Sequence, residues 1–218
     1  MTVPTCPVCG AVAPLSISHC GKCGRGLPWG IGLPYFADKT LIKKAKDDAF
    51  MIINSSTHDL LGGIIEAKEW QKRLKPEVVI VQFASAAEAR KKPFNVRCWE
   101  KLFPAIQAEV TRLAALAKDF EANPKKHRTA KTNRDGALPF MVQAMRLESM
   151  GHCTYENIRM WEAMEEGCTK AARVSAHPPC CKECAALDRE DMVDITTFKP
   201  LGTTESGGDC NCAIITQR

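Results

Sequence analysis

Aromatic residues are scarce, 6% of the 218-residue chain, so any core must be mainly aliphatic and alanine-rich. No stretch approaches the roughly 20 apolar residues of a membrane helix, so no membrane span is expected. The opening residues Met1 to Cys6 lack a basic region followed by an apolar one, so no signal peptide is expected either. No G-x-S-x-G nucleophile elbow occurs, and Gly62-Gly63 alone is too short to cradle a phosphate. Neither sign of charge dominates. Thirty Lys and Arg stand against 25 Asp and Glu, for a formal net charge of +5. That balance permits contact with nucleic acid or an acidic surface without demanding either. With 45% apolar and 25% charged residues, the composition is globular rather than disordered.

Cysteine, by contrast, is abundant, at twelve residues. A chain without a signal peptide is expected in a reducing cytosol, where many thiols mean metal or reactive sulfur before disulfides. Four lie in the first 23 residues and five between Cys180 and Cys212, with only Cys98, Cys153 and Cys168 between. Two cysteine-bearing ends therefore flank a middle region. The length suits one good-sized domain plus a small module. The expected architecture is mainly α with small zinc-stabilised modules. It comprises an N-terminal zinc ribbon over 1–34, a helical domain over 35–150 and a C-terminal α+β cysteine-knuckle module over 151–218.

Periodicity places the helices. Gly24, Gly26, Pro28, Gly30, Gly32 and Pro34 read as a linker-like exit from the first module. Asp38 or Thr40 can cap a helix starting at Leu41, which Gly62-Gly63 would break. A second helix is expected over Ile64 to Leu74, ending before Pro76. Val78-Val79-Ile80-Val81 reads as a buried strand, whereas Ala84 to Arg90 reads as helix; the period does not decide between them. Trp99 to Phe120 shows one apolar stripe of Leu102, Ile106, Val110, Leu113, Ala117 and Phe120, with Pro104 expected in its first turn. Asn123 to Gly136 reads as a polar, basic break. Two helices follow, Leu138 to Met150 and Thr154 to Glu166, with Gly151 and Gly167 as their C-terminal caps. A short strand is expected at Ala171 to Val174.

The cysteines carry the chemistry. Cys6-Pro-Val-Cys9-Gly and Cys20-Gly-Lys-Cys23-Gly are two CxxC knuckles separated by ten residues. Each aims two thiolates at one ion, and the glycine after each pair, Gly10 and Gly24, allows the positive φ such a knuckle favours. Four thiolates close a tetrahedral site with no open position, which is structural rather than catalytic. All-cysteine knuckle pairs favour zinc over iron. So small a module buries too little apolar surface to fold alone, and the metal supplies the missing free energy. Two disulfides are the alternative. The pattern resembles the zinc-ribbon class, whose members contact nucleic acid or other proteins.

At the other end, Cys181 and Cys184 form a third knuckle, and Cys210 and Cys212 follow after 25 intervening residues. Four thiolates again suit zinc, with His177 and Cys180 as alternative or outer donors. A thiol cluster, disulfides or a redox pair are the other readings. The Pro-Pro ahead of Cys180 does not supply the helix opening that a redox CxxC uses.

The order of features in this tail resembles the C-terminal module of the phage Mu F-like minor head protein family. It runs helix with Trp161, Gly167, short strand, Cys181-x-x-Cys184-x-x-Leu187-Asp188, Pro200 and Cys210-x-Cys212. The likeness covers about residues 155–218. It departs from the family pattern at Arg189, where glycine usually follows Leu-Asp, and at Gly207-Gly208-Asp209, where His-Pro usually precedes the final pair. The resemblance implies a non-enzymatic virion component, made in the host cytoplasm. It would assemble with portal, capsid or neck proteins and with copies of itself.

A second reading rests on charge. Lys125, Lys126, Arg128, Lys131 and Arg134 fall within ten residues and can grip phosphates, although a solvated interhelical loop accounts for them too. No aromatics interleave with them, which disfavours stacking on single-stranded bases. His58-Asp59 reads as helix-end chemistry and His152-Cys153 as a helix terminus rather than a catalytic pair. Met141, Met145, Met150, Met160 and Met164 read as core fillers, and Trp29, Trp70, Trp99 and Trp161 as packing anchors.

Overall fold

A computed structural model describes residues 6, 11–12, 20–24, 39–90, 96–132, 138–174, 192–201 and 212–218. Its elements in chain order are α1 (Lys39–Leu61), α2 (Ala67–Ala89), α3 (Val96–Ala122), α4 (Pro124–Thr129), α5 (Pro139–Glu165), β1 (Lys170–Val174), β2 (Val193–Asp194) and β3 (Ala213–Gln217). Among the described residues the protein is mainly helical with one small sheet, as the composition and periodicity lead one to expect.

The centre of the bundle is α2, packed on α1, α3 and α5. Between Val78 and Ala87 every residue but Ile80 is buried. A helix enclosed on all sides reads as a continuous apolar run, just as a buried strand does. That is why Val78–Val81 looked like a strand and is helix. The expected stop at Leu74 is also overturned, since Pro76 lies inside α2. A mid-helix proline costs about 3 kcal/mol. Trp70, Leu74, Val78 and Val79, buried on either side of it, bring more than that: each fully buried large apolar side chain contributes about 1.5–3 kcal/mol.

Two further expectations fail in the same direction. α3 begins at Val96, so Pro104 sits past its first two turns. It is on the exposed side, where water can solvate the carbonyl that loses its partner. The two helices expected around Gly151 are one, and α5 runs unbroken across residue 150. Gly151 is a close-contact residue rather than a cap: a Cβ there would stand 2.5 Å from Ser85 Oγ and 2.8 Å from Val81 Cγ1. Gly167 does end the helix, with φ +91, a backbone state that suits glycine. The basic break contains the short helix α4.

The largest apolar cluster joins Ile53, Leu60, Trp70, Leu74, Leu113, Phe120, Phe140 and Leu147. Phe140 meets Trp70 and Phe120 at ring-centroid distances of 5.5 and 5.0 Å, within the range of favourable aromatic contact. The Trp70 indole N–H donates to Thr57 Oγ1 at 3.0 Å. The methionines do fill the core: Met141, Met150 and Met160 are buried, and Met145 and Met164 pack against buried clusters.

The sheet has the order β2-β1-β3, antiparallel throughout. Its inner face, with Ala171 and Ile214, packs with Met150, Cys153 and Met160 of α5. Side chains of α5 also hold the C-terminal backbone directly. Glu156 Oε2 accepts the Ile214 N–H at 3.0 Å. Asn157 accepts from the Leu201 N–H at 2.8 Å and donates to its carbonyl at 3.0 Å. His152 Nε2 lies 2.9 Å from the Cys212 carbonyl.

Candidate metal centre

Cys6, Cys20 and Cys23 come together, their three sulfurs all within 4.8 Å of one another. The local backbone explains how. The Cys6 N–H donates to the Ala11 carbonyl at 2.6 Å. The Gly24 N–H donates to the Cys20 carbonyl at 2.8 Å and closes the second knuckle. Gly24 has φ +68, as its place after the knuckle led one to expect.

The sulfur spacing tests whether a metal fits. Cys6 Sγ and Cys23 Sγ are 3.8 Å apart. Metal–sulfur bonds of about 2.3 Å in a tetrahedral site place neighbouring sulfurs about 3.8 Å apart, whereas a disulfide holds them at about 2.05 Å. The sulfur spacing of this trio suits a tetrahedral ion and not a disulfide. This is the one such cluster among the described residues.

Its surroundings were not legible in the spacing. Cys6 and Cys20 are each 1% exposed and belong to a cluster with Val79, Phe83, Ala86, Leu102, Ile106 and Ile158. The thiol site is thus docked on α2, α3 and α5 and does not hang from a linker. Cys23 is the exposed member.

The other predicted ligands divide. Cys9, Cys181, Cys184 and Cys210 lie outside the described residues, as do His177, Cys180, Gly10, Trp29 and the linker from Gly26 to Pro34. Cys212 is fully buried just ahead of β3, in a cluster with Cys153, Ile195 and Leu201. His152-Cys153 is not a helix terminus, since both lie within α5. His152, Glu156 and Asn157, which pin the C-terminal backbone, went unrecognised in the sequence. Their polar types on a helix carry no signal of a partner so far along the chain.

The basic stretch also divides. Lys125, Lys126 and Lys131 are exposed, and Arg134 lies outside the described residues. Arg128 donates to the Leu60 carbonyl at 3.3 Å and covers the Phe120 ring. His127 is buried between Phe120 and Phe140, with Nε2 2.9 Å from Asp119. Part of this segment therefore serves packing.

No helix among the described residues is long and apolar enough to cross a membrane. No family model, curated protein or solved structure matches the chain.

Proposed function

We propose that this chain is a non-enzymatic structural component of a tailed-phage particle, stapled by zinc and assembled with portal, capsid or neck proteins and with copies of itself. The observation that carries the staple is the 3.8 Å separation of Cys6 and Cys23 beside a buried Cys20. Cys9 would complete a four-thiolate zinc site with Cys6, Cys20 and Cys23. Such a closed site supplies folding free energy and leaves no position for substrate. The virion assignment rests on the order of features in the C-terminal third. Helix α5 ends at Gly167, strand β1 follows, and a terminal CxC leads into β3. Cys181, Cys184, Cys210 and Cys212 would hold a second zinc there, and the burial of Cys212 against α5 supports that reading.

The competing reading is a zinc-ribbon nucleic-acid-binding protein, favoured by exposed Lys125, Lys126 and Lys131. The packing roles of His127 and Arg128 leave that surface weaker than the sequence suggested. The deciding experiment measures zinc per chain and native mass on protein purified without chelator. Two zincs with a high-order oligomer support the assembly protein. One zinc, a monomer and duplex binding that falls steeply with salt would replace it with the nucleic-acid reading.

A further inference from the structure

Where α1, α2 and α5 meet, a cleft of about 430 Å³ opens. Lys46 of α1, Glu88 of α2, and Glu148, Ser149, His152 and Tyr155 of α5 line it. Its floor includes Gly151, which brings no side chain. Behind that glycine stands Ser85 Oγ, fully buried and without a hydrogen-bond partner, aimed at the point where a Gly151 Cβ would be.

The polar groups are unbalanced. Lys46 Nζ already donates to Glu88 Oε2 at 2.8 Å, so its charge is matched. Among the described residues, none donates a hydrogen bond to Glu148. His152 Nε2 faces the Cys212 carbonyl. A carbonyl can only accept, so Nε2 carries the hydrogen and the neutral ring keeps its lone pair on Nδ1. Burial raises the Glu148 carboxyl above its usual range; Lys46 opposes the shift and Asp47 adds to it. By its lining, the cleft sets two carboxyl groups and the His152 Nδ1 acceptor against one lysine.

That excess selects the ligand class. An anion would meet Glu88 and Glu148. A bare divalent ion needs converging ligand atoms, and no trio here brings them within 4.8 Å of one another. A cation with several N–H donors on a short stem meets neither objection. We propose that this cleft binds an organic cation, an alkylammonium or guanidinium group, held chiefly by the Glu148 carboxylate with Glu88 and His152 Nδ1 around it. The group belongs either to a free small amine or to a lysine or arginine side chain of a partner protein. The inference stands independently of the metal centre and of the virion reading.

The test is calorimetric titration of the full, metal-loaded chain with agmatine, with capped arginine amide and with glutarate. Both cations are expected to bind and glutarate is not. Tighter binding of the capped arginine marks a protein side chain as the source, and tighter binding of agmatine a free amine. Glu148→Gln is expected to weaken either cation at least about tenfold, as loss of a charged hydrogen-bond partner does. Lys46→Met leaves Glu88 unanswered and is expected to tighten binding severalfold, a gain that misfolding cannot imitate. No heat with either cation, glutarate binding as well as agmatine, or Lys46→Met weakening the interaction would each overturn the proposal.

Discussion

The helical core and the N-terminal thiol cluster reach order by different means. The core around Trp70 and Phe140 encloses at least six large side chains with essentially no exposure, among them Leu60, Leu74, Leu113 and Leu147. Each contributes about 1.5–3 kcal/mol by leaving water, and the sum outweighs even a proline inside α2. In the thiol module, the buried apolar residues among those described are Cys6 and Cys20 themselves. Their burial comes from resting on Val79, Phe83, Leu102 and Ile106, which belong to the bundle. The bundle carries its own core, whereas the buried thiols of the module rest on side chains of the bundle.

The strongest way to break that contrast is chelation, on the proposal that the thiols hold zinc. Structural zinc in small modules is worth about 10–16 kcal/mol of apparent binding free energy, so chelation or Cys20→Ser should unfold residues 6–24 outright. Hydrogen exchange reads this directly. The amides of Cys6 and Gly24, bonded to Ala11 and Cys20, should lose protection. The Trp70 amide, bonded to Glu66 at 2.9 Å, should keep its own. If both are lost together, module and bundle form one cooperative unit and the contrast fails.

The reverse experiment strikes the core. Trp70→Ala removes a fully buried ring and leaves Thr57 Oγ1 without its indole donor. A cost of about 3–5 kcal/mol is expected, read by denaturant unfolding. Zinc content of the surviving folded protein should not change.

Glu109 sharpens the comparison from within the bundle. It lies between Ile106 and Leu113 on the apolar stripe of α3, 1% exposed, and neither carboxylate oxygen has a hydrogen-bond partner. Burial pushes its carboxyl up to about 7, while Arg112, 3.5 Å away, pulls it down. The folded state therefore holds a proton that the unfolded chain has released between about pH 4.5 and 7. Stability is greatest below that window and falls as pH rises through it. At about 1.4 kcal/mol per unit the loss across that window is roughly 3–4 kcal/mol. Glu109→Gln should flatten this dependence, and an unchanged urea midpoint profile from pH 5 to 8 would refute the assignment.

What the sequence disclosed follows the same division. Cysteine spacing identified the thiol cluster because metal geometry is local: a CxxC knuckle and its glycine bring Cys20 and Cys23 together whatever surrounds them. The stripe from Leu102 to Phe120 was legible because α3 presents one face to the core. α2 was not, because burial on all sides erases the period that marks a helix. Pro76, Pro104 and Gly151 misled for a related reason. Each is a local stop signal that long-range packing overrides, and packing partners cannot be read from neighbours in the chain. The docking of Cys6 on Phe83 and the grip of His152 on Cys212 join residues about 60 or more positions apart, beyond the reach of any spacing rule.

Gly151 offers the finest test of that override. By helix propensity alone, Gly151→Ala should stabilise α5 by about 1 kcal/mol. The added methyl, however, would stand 2.5 Å from Ser85 Oγ and 2.8 Å from Val81 Cγ1. Ser85 can rotate away, since its hydroxyl has no hydrogen bond to lose. Val81 is fully buried in α2 and can yield only if α5 moves outward. Overpacking of this kind costs about 1–3 kcal/mol, which exceeds the propensity gain, so the net effect should be a modest loss of thermal stability. Adding Ser85→Ala clears the nearer contact and should recover part of it, leaving the Val81 contact as the remainder. A stabilised single variant would mean that α2 and α5 are held less closely than two interlocked helices, and that Gly151 is only a weak point in α5.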